Sequence, residues 1–250
     1  MPQPALTQTR ETVTVRSFID LRRFAAEPEA GQAAALATGD TFTGARRYLD
    51  LPEGLVSVGL LTLEAAEGQV DGQARDEFII LLTGELTLET DGVRLSLTPD
   101  RSAVIPAGRS FAWRATAGTT ALFMTYATSA RTAAAPLEID MAGPLAPSNP
   151  PLADLLVGPT PQCRNRTDYR SADGEFMCGV WDSTPYHRLS MPYRHYELMH
   201  LLAGAVTFED GAGRRATFSE GDIFLVEQGA ECSWLSETDV AKVFAIYRPA

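Results

Sequence analysis

Histidine is scarce in this chain, and lysine is almost missing. Three histidines stand among 250 residues, at 187, 195 and 200, and Lys242 is the only lysine. Residues 1–186 therefore lack the commonest metal ligand altogether. The basic side chains are nearly all arginine, which reads as a bias of composition. Cysteine is rare too. Cys163, Cys178 and Cys232 leave at least one thiol unpaired and include no Cys-x-x-Cys spacing, which argues against a disulfide framework or a zinc knot. No apolar run approaches the roughly 18 residues of a membrane span, so no membrane partner is expected. A net charge of −11 opposes nucleic acid, whose phosphates require a basic face. The opening Met1-Pro-Gln-Pro-Ala-Leu-Thr shows no basic-then-apolar leader, which points to the cytoplasm. What remains, 45% hydrophobic and 21% charged residues, is the balance of a folded chain long enough for one or two domains.

The chain also resembles itself. Glu77-Phe-Ile-Ile-Leu-Leu-Thr-Gly84 matches Glu197-Leu-Met-His-Leu-Leu-Ala-Gly204, and Thr87 pairs with Thr207 at the same offset of 120. One residue further out of step, Gly108 matches Gly229, Trp113 matches Trp234, Phe123 matches Phe244 and Tyr126 matches Tyr247. Upstream, Val58-Gly59-Leu60-Leu61 corresponds to Cys178-Gly179-Val180-Trp181. Such spacing marks a duplication. Each copy alternates apolar and polar residues with a period of two, as in Glu85–Thr90 and Ala205–Asp210, the pattern of half-buried strands. Asp91-Gly92 and Asp210-Gly-Ala-Gly213 supply turn residues, so hairpins are expected with Val93–Leu97 and Arg215–Phe218 as return arms. Further strands are expected at Ala103–Pro106, Ile223–Val226, Ala121–Tyr126 and Ala241–Tyr247. Ser17–Phe24 and the Ala-rich Glu27–Thr38 read as short helices. Prolines from 136 to 161 mark a connector. The fold class is all-β, and the expected divisions are an extension (1–45), a first barrel (46–132), a linker (133–165) and a second barrel (166–250).

Glutamate, six intervening residues and glycine, then a hairpin and Gly-Asp-x-x-x-x-x-x-Gly, resembles the paired motifs of the cupin superfamily. Glu197…Gly204…Gly221-Asp222-Ile-Phe-Leu-Val-Glu-Gln-Gly229 carries it most clearly, while Asp100-Arg101 and Ile105-Pro-Ala-Gly108 stand in the first copy. Trp113, Trp234 and Gly179-Val-Trp-Asp182 resemble the branch that includes ureidoglycine aminohydrolase and ethanolamine-utilisation cupins. The resemblance implies two tandem jelly-roll barrels, a bicupin, joined by short helices or coil and forming a homodimer. Cupins that hold metal place histidines about four and six residues before the glutamate and three after the last glycine. Those positions hold Gln73, Asp71 and Phe111 in the first copy, and Tyr193, Met191 and Cys232 in the second. The first barrel therefore lacks the family's ligands. Met191-Pro-Tyr193-Arg-His-Tyr-Glu197 also lacks the leading ligands of the aminohydrolases, so that reaction does not carry over.

Strand alternation puts Tyr193, His195, Glu197 and Met199 on one face and His200 on the other. Glu197 and His195 are the candidate catalytic pair. With Cys232 they form an imidazole, carboxylate and thiol set able to take a divalent ion such as Mn, Ni, Zn or Fe. Against that stands a plain reading: His195 ends the strand near solvent and Cys232 packs as a small apolar side chain. Tyr193, Met199, Phe224, Cys232 and Trp234 are the candidate pocket walls, and His187 lies in an expected loop at the mouth. Three functions follow: a small-molecule binding bicupin, a metal-assisted hydrolase of a small nitrogenous compound, or a scaffold with degenerate pockets.

Overall fold

The computed structural model describes residues 15–33, 41–128, 131–132 and 134–250. It is built almost wholly of antiparallel strands, and the duplication is visible strand by strand. Val56–Leu63 and Asp76–Thr83 recur as Phe176–Ser183 and Tyr196–Ala203, while Thr119–Tyr126 recurs as Val240–Tyr247. Each half folds a large sheet over a small one. Leu86–Thr90 and Val93–Leu97 form the hairpin expected around Asp91-Gly92, and Ala205–Glu209 with Arg215–Ser219 forms its counterpart. Both turn residues Asp91 and Gly92 have positive φ, 26° and 82°. The motif glycines Gly84 and Gly204 share φ 76°, and a Cβ on Gly204 would lie 2.1 Å from the Asp239 carbonyl oxygen. Only glycine fits there without displacement. Asp100, which replaces the glycine found at 221, adopts the same left-handed backbone at φ 66°.

Period-two alternation divides each large sheet between two cores. Ile79, Leu81, Ala121 and Phe123 face the interior of the first barrel, and Met199, Leu201, Phe224 and Val226 face that of the second. The residues between them, including Phe78, Leu122 and Met124 from one half and Leu198, Leu225 and Val243 from the other, meet in a common seam. The equivalent Tyr126 and Tyr247 stand against each other across it, ring centres 5.0 Å apart. Removing one such buried aromatic typically costs about 3–5 kcal/mol, so the seam binds the halves into one unit.

The duplication reaches further than the motifs. Ile19-Asp20-Leu21 repeats as Ile139-Asp140-Met141, and each aspartate accepts hydrogen bonds from the turn that follows it. Phe18–Asp20 pairs with residues 224–226 of the second half, whereas Leu137–Glu138 pairs with 103–104 of the first. Each half thus receives an edge strand from the segment that precedes the other. The N-terminal extension and the connector are therefore parts of the sheets. Ser17–Phe24 is accordingly only partly helical: its strand runs into a helix at Leu21–Ala26 capped by Asp20. Pro28 and Gly31 interrupt any second helix, residues 27–33 contain none, and 34–38 lie outside the described residues. The connector also contributes Ala146–Ser148 to the edge of the second large sheet, where Pro147 is tolerated because an edge strand keeps one side unpaired.

One carboxylate is held uncomfortably in the seam. Asp76 is almost fully buried, and its Oδ1 accepts the Ala107 N–H at 2.7 Å while Oδ2 has no hydrogen-bond partner. Burial pushes this carboxyl up, only partly offset by the Ala107 N–H and by the nearby Tyr169 hydroxyl. A raised folded value means that its contribution is present below the ordinary value of 3.8 and is lost as pH rises through the higher folded one. Asp76→Asn is therefore expected to raise Tm by a few degrees at neutral pH, with the gain shrinking toward pH 4. A thermal melt series checks this, and a gain independent of pH would contradict it.

Candidate functional site

The inward acid of the second barrel has a lysine as its partner. Tyr196–Ala203 turns Glu197, Met199 and Leu201 inward, and its neighbour Val240–Tyr247 turns Lys242, Phe244 and Ile246 toward the same space. Lys242 Nζ donates to Glu197 Oε1 at 2.7 Å and approaches Met199 Sδ at 3.1 Å. The ammonium also lies 4.8 Å from the Trp181 ring centre and 5.1 Å from that of Trp234. Desolvated contacts of this kind are worth about 2 kcal/mol each. Trp234 is in turn stacked on Tyr186, with ring planes 9° apart. Glu197 Oε2 lies 3.3 Å from His195 Nε2, and the imidazole stands against Tyr193. His195 precedes the strand rather than ending it, yet its side chain still reaches the acid.

The electrostatics follow from this packing. Burial alone drives the Glu197 carboxyl up, but the Lys242 ammonium and the hydrogen bonds from His195 and Lys242 outweigh it. The group is held well below the ordinary carboxylate range. Glu197 is thus a fixed anion. The Tyr193 hydroxyl is pushed up by burial, partly offset by Arg188, and stays protonated. Above the cluster lies a cavity of about 250 Å³, rimmed by Asn165, Met191 and the exposed Arg248.

Of the residues singled out in sequence, Glu197, His195, Tyr193 and Trp234 line this cavity. Met199 touches it only through Lys242, and Phe224 lies deeper, stacked on Phe218 with ring centres 4.0 Å apart. His187 lies within the strand Tyr186–Pro192, paired with Val157 and Leu235, rather than in a loop over the mouth. His200 faces the seam, its Nε2 3.9 Å from Asp100 of the first half. Lys242, Arg188, Trp181 and Tyr186 also line the cavity and were not expected there from the sequence. The one available signal was the uniqueness of Lys242 together with its alternation with Phe244 and Ile246.

A divalent ion does not suit these donors. Both Glu197 oxygens already have partners, and one of them is a cation. Cys232 is fully buried in the apolar cluster with Phe208 and Trp234, and burial pushes its thiol up to about 11. The structure therefore does not assemble Glu197, His195 and Cys232 as ligands; among the described residues no group of three or more His, Cys, Asp or Glu side chains could hold a metal ion.

The first barrel repeats the electrostatic solution with different residues. Buried Glu77 pairs with Arg46 at 2.9 Å and accepts from Gln73 Nε2 at 2.8 Å. The Arg46 guanidinium lies 4.6 Å from the centre of the Phe123 ring. The remaining hollow is about 170 Å³. A larger depression, about 650 Å³, lies on the outer face of the first small sheet, but all its charged lining residues are exposed.

Its similarity to known proteins places this fold in the cupin superfamily. Residues 170–244 match the EutQ-like cupin domain. A protein of unknown function from Pseudomonas syringae pv. tomato, assigned to the DUF861 family, is 29% identical over 87% of this chain and 91% of its own, with a TM-score of 0.79. A cupin 2 conserved barrel domain protein from Leptotrichia buccalis shares the fold at 9% identity, covering 94% and 98% of the two chains at a TM-score of 0.54. The E. coli protein YlbA, also DUF861, does so at 10% identity, 82% and 84% coverage and a TM-score of 0.52. No curated protein sequence matches the chain.

Lys242→Met leaves Glu197 buried without its cation and is expected to cost about 3–5 kcal/mol. Adding Glu197→Gln to that variant should restore most of the loss, because neither charge then remains unpaired. Since the folded carboxyl lies below its ordinary 4.5, the pair's contribution is intact above that pH and drains away as pH falls. Urea melts of the native chain, Lys242→Met, Glu197→Gln and the double variant between pH 3 and 7 check both points; additive losses would contradict the pairing.

Proposed function

We propose that this chain is a two-barrel cupin that binds a small polar metabolite in its second barrel. The observation that carries this reading is a charged, hydrogen-bonded cluster at an aromatic-walled cavity. Glu197, His195 and Lys242 are the placed polar groups, and Trp181, Tyr186, Tyr193 and Trp234 are the walls. Pockets for small molecules have this composition. With a water's share of liquid taken as about 30 Å³, the hollow suits a metabolite rather than a polymer or a large cofactor. The first barrel, whose acid is closed off by Arg46 and Gln73, takes a structural role.

No step in this reading passes through a metal. Nor does Glu197 serve as a proton acceptor, because the ion pair favours its charged form. Its role is to fix Lys242 as an oriented donor toward a ligand oxygen and to hold the His195 ring in place beside it.

Trp181 and Trp234 give the test its readout. A panel of small polar metabolites, titrated without added metal, should change their fluorescence saturably and raise Tm. Glu197→Gln should weaken binding at least about tenfold, or 1.4 kcal/mol, while Glu77→Gln in the first barrel leaves it unchanged. A panel without effect, or equal loss in both variants, would reject the assignment to the second barrel.

A further inference from the structure

Among the described residues, Arg188 is the one buried charge of the second barrel with no counter-charge. It lies on the strand Tyr186–Pro192 beside a bulge that shifts the pairing with Glu231–Ser236 between Arg188 and Met191. Its side chain is 6% exposed and lines the cavity. Nη2 donates to the Tyr193 hydroxyl oxygen at 3.2 Å and to the Cys232 carbonyl at 3.0 Å, and the guanidinium lies 5.1 Å from the centre of the Tyr193 ring. Nε is buried and has no hydrogen-bond partner. Among the described residues Arg188 forms no ion pair, whereas Arg46, equally buried in the first barrel, is paired with Glu77. Among the described residues the only carboxylate lining the cavity, Glu197, is bound by Lys242 and His195.

An unpaired buried guanidinium is costly, because it has given up water without receiving an anion in return. The cavity's charged lining is Lys242, Arg188 and Arg248 against Glu197, a net positive hollow in a chain of net charge −11. We infer that Arg188 is the receptor for an anionic group of the ligand, and that the ligand is a small carboxylic acid. A carboxylate suits this guanidinium, whose Nη2 hydrogens are taken by Tyr193 and Cys232 while its Nε–H and its charge have no partner, so that a ligand oxygen receives a charge-assisted hydrogen bond. Tyr193 adds a donor, because its oxygen accepts from Arg188 and leaves the hydroxyl proton for a ligand oxygen. The rest of the acid then reaches the Lys242, Glu197 and His195 cluster. This inference rests on the metabolite-binding reading above and narrows it to one class of ligand.

The probes are glycolate, pyruvate and glutarate, their neutral amides, and inorganic phosphate, titrated into the full chain by tryptophan fluorescence and calorimetry. At least one acid is expected to bind at least about tenfold more tightly than its amide. Arg188→Met should abolish that preference while leaving amide affinity within about twofold. Arg188→Lys, which keeps the charge and loses the Nε–H donor, should fall between them and guards against a Met variant that fails to fold. Equal binding of acids and amides, an unchanged preference in both variants, or tighter binding of phosphate than of every acid would overturn the carboxylate assignment alone. No saturable response to any probe would overturn both this inference and the binding pocket itself.

Discussion

Everything in the second barrel depends on one buried ion pair, between the inward carboxylate of Glu197 and the ammonium of Lys242. A carboxylate turned into a barrel must be compensated, because burial without a partner costs several kcal/mol. The sequence replaces the positions where histidine ligands would stand with tyrosine, methionine and cysteine, so compensation falls to the protein's own cations. The first barrel meets the same demand with Arg46 on Glu77. In both, the cation lies against aromatic rings, which stabilise it without adding a second negative charge. The difference is what is left over. The first barrel keeps a smaller hollow of about 170 Å³ whose acid and guanidinium are paired with each other, while the second keeps an aromatic hollow of about 250 Å³ and a guanidinium with no ion pair among the described residues.

The duplicated architecture explains why such a site stays fixed. The two large sheets share one apolar seam, and each accepts an edge strand from the segment preceding the other half. Arg16 extends this tie by pairing with Glu227, the residue just after the strand that Phe18–Asp20 borders. A side chain on the strand Tyr196–Ala203 is therefore supported from the seam behind and from the barrel in front. That rigidity suits a pocket whose polar groups must be held in place before a ligand arrives.

Much of this was legible from residue order. Constant offsets of 120 and 121 exposed the duplication, period-two alternation located Val93–Leu97 to the residue, and the short apolar run did the same for Ile223–Val226. The orientation of Glu197 beside His195 followed from the same alternation. The partners of these groups did not follow, because pairing across a sheet depends on register. Lys242 stands opposite Leu201 and reaches Glu197 only diagonally. Cys232 shares its barrel with Glu197, yet the packing of Phe208 and Trp234 places it in the apolar layer. The short edge strands were hidden for another reason: segments of two or three residues among prolines carry too little periodicity to register.

Because the chain has a single lysine, selective ¹⁵N-lysine labelling yields one side-chain ammonium signal, and its hydrogen exchange reports directly on the ion pair. A resolved Nζ resonance, protected from exchange at neutral pH and lost in Glu197→Gln, is the result this account predicts. An ammonium that exchanges as fast as a solvent-exposed lysine, or one whose protection survives the loss of the carboxylate, would contradict it.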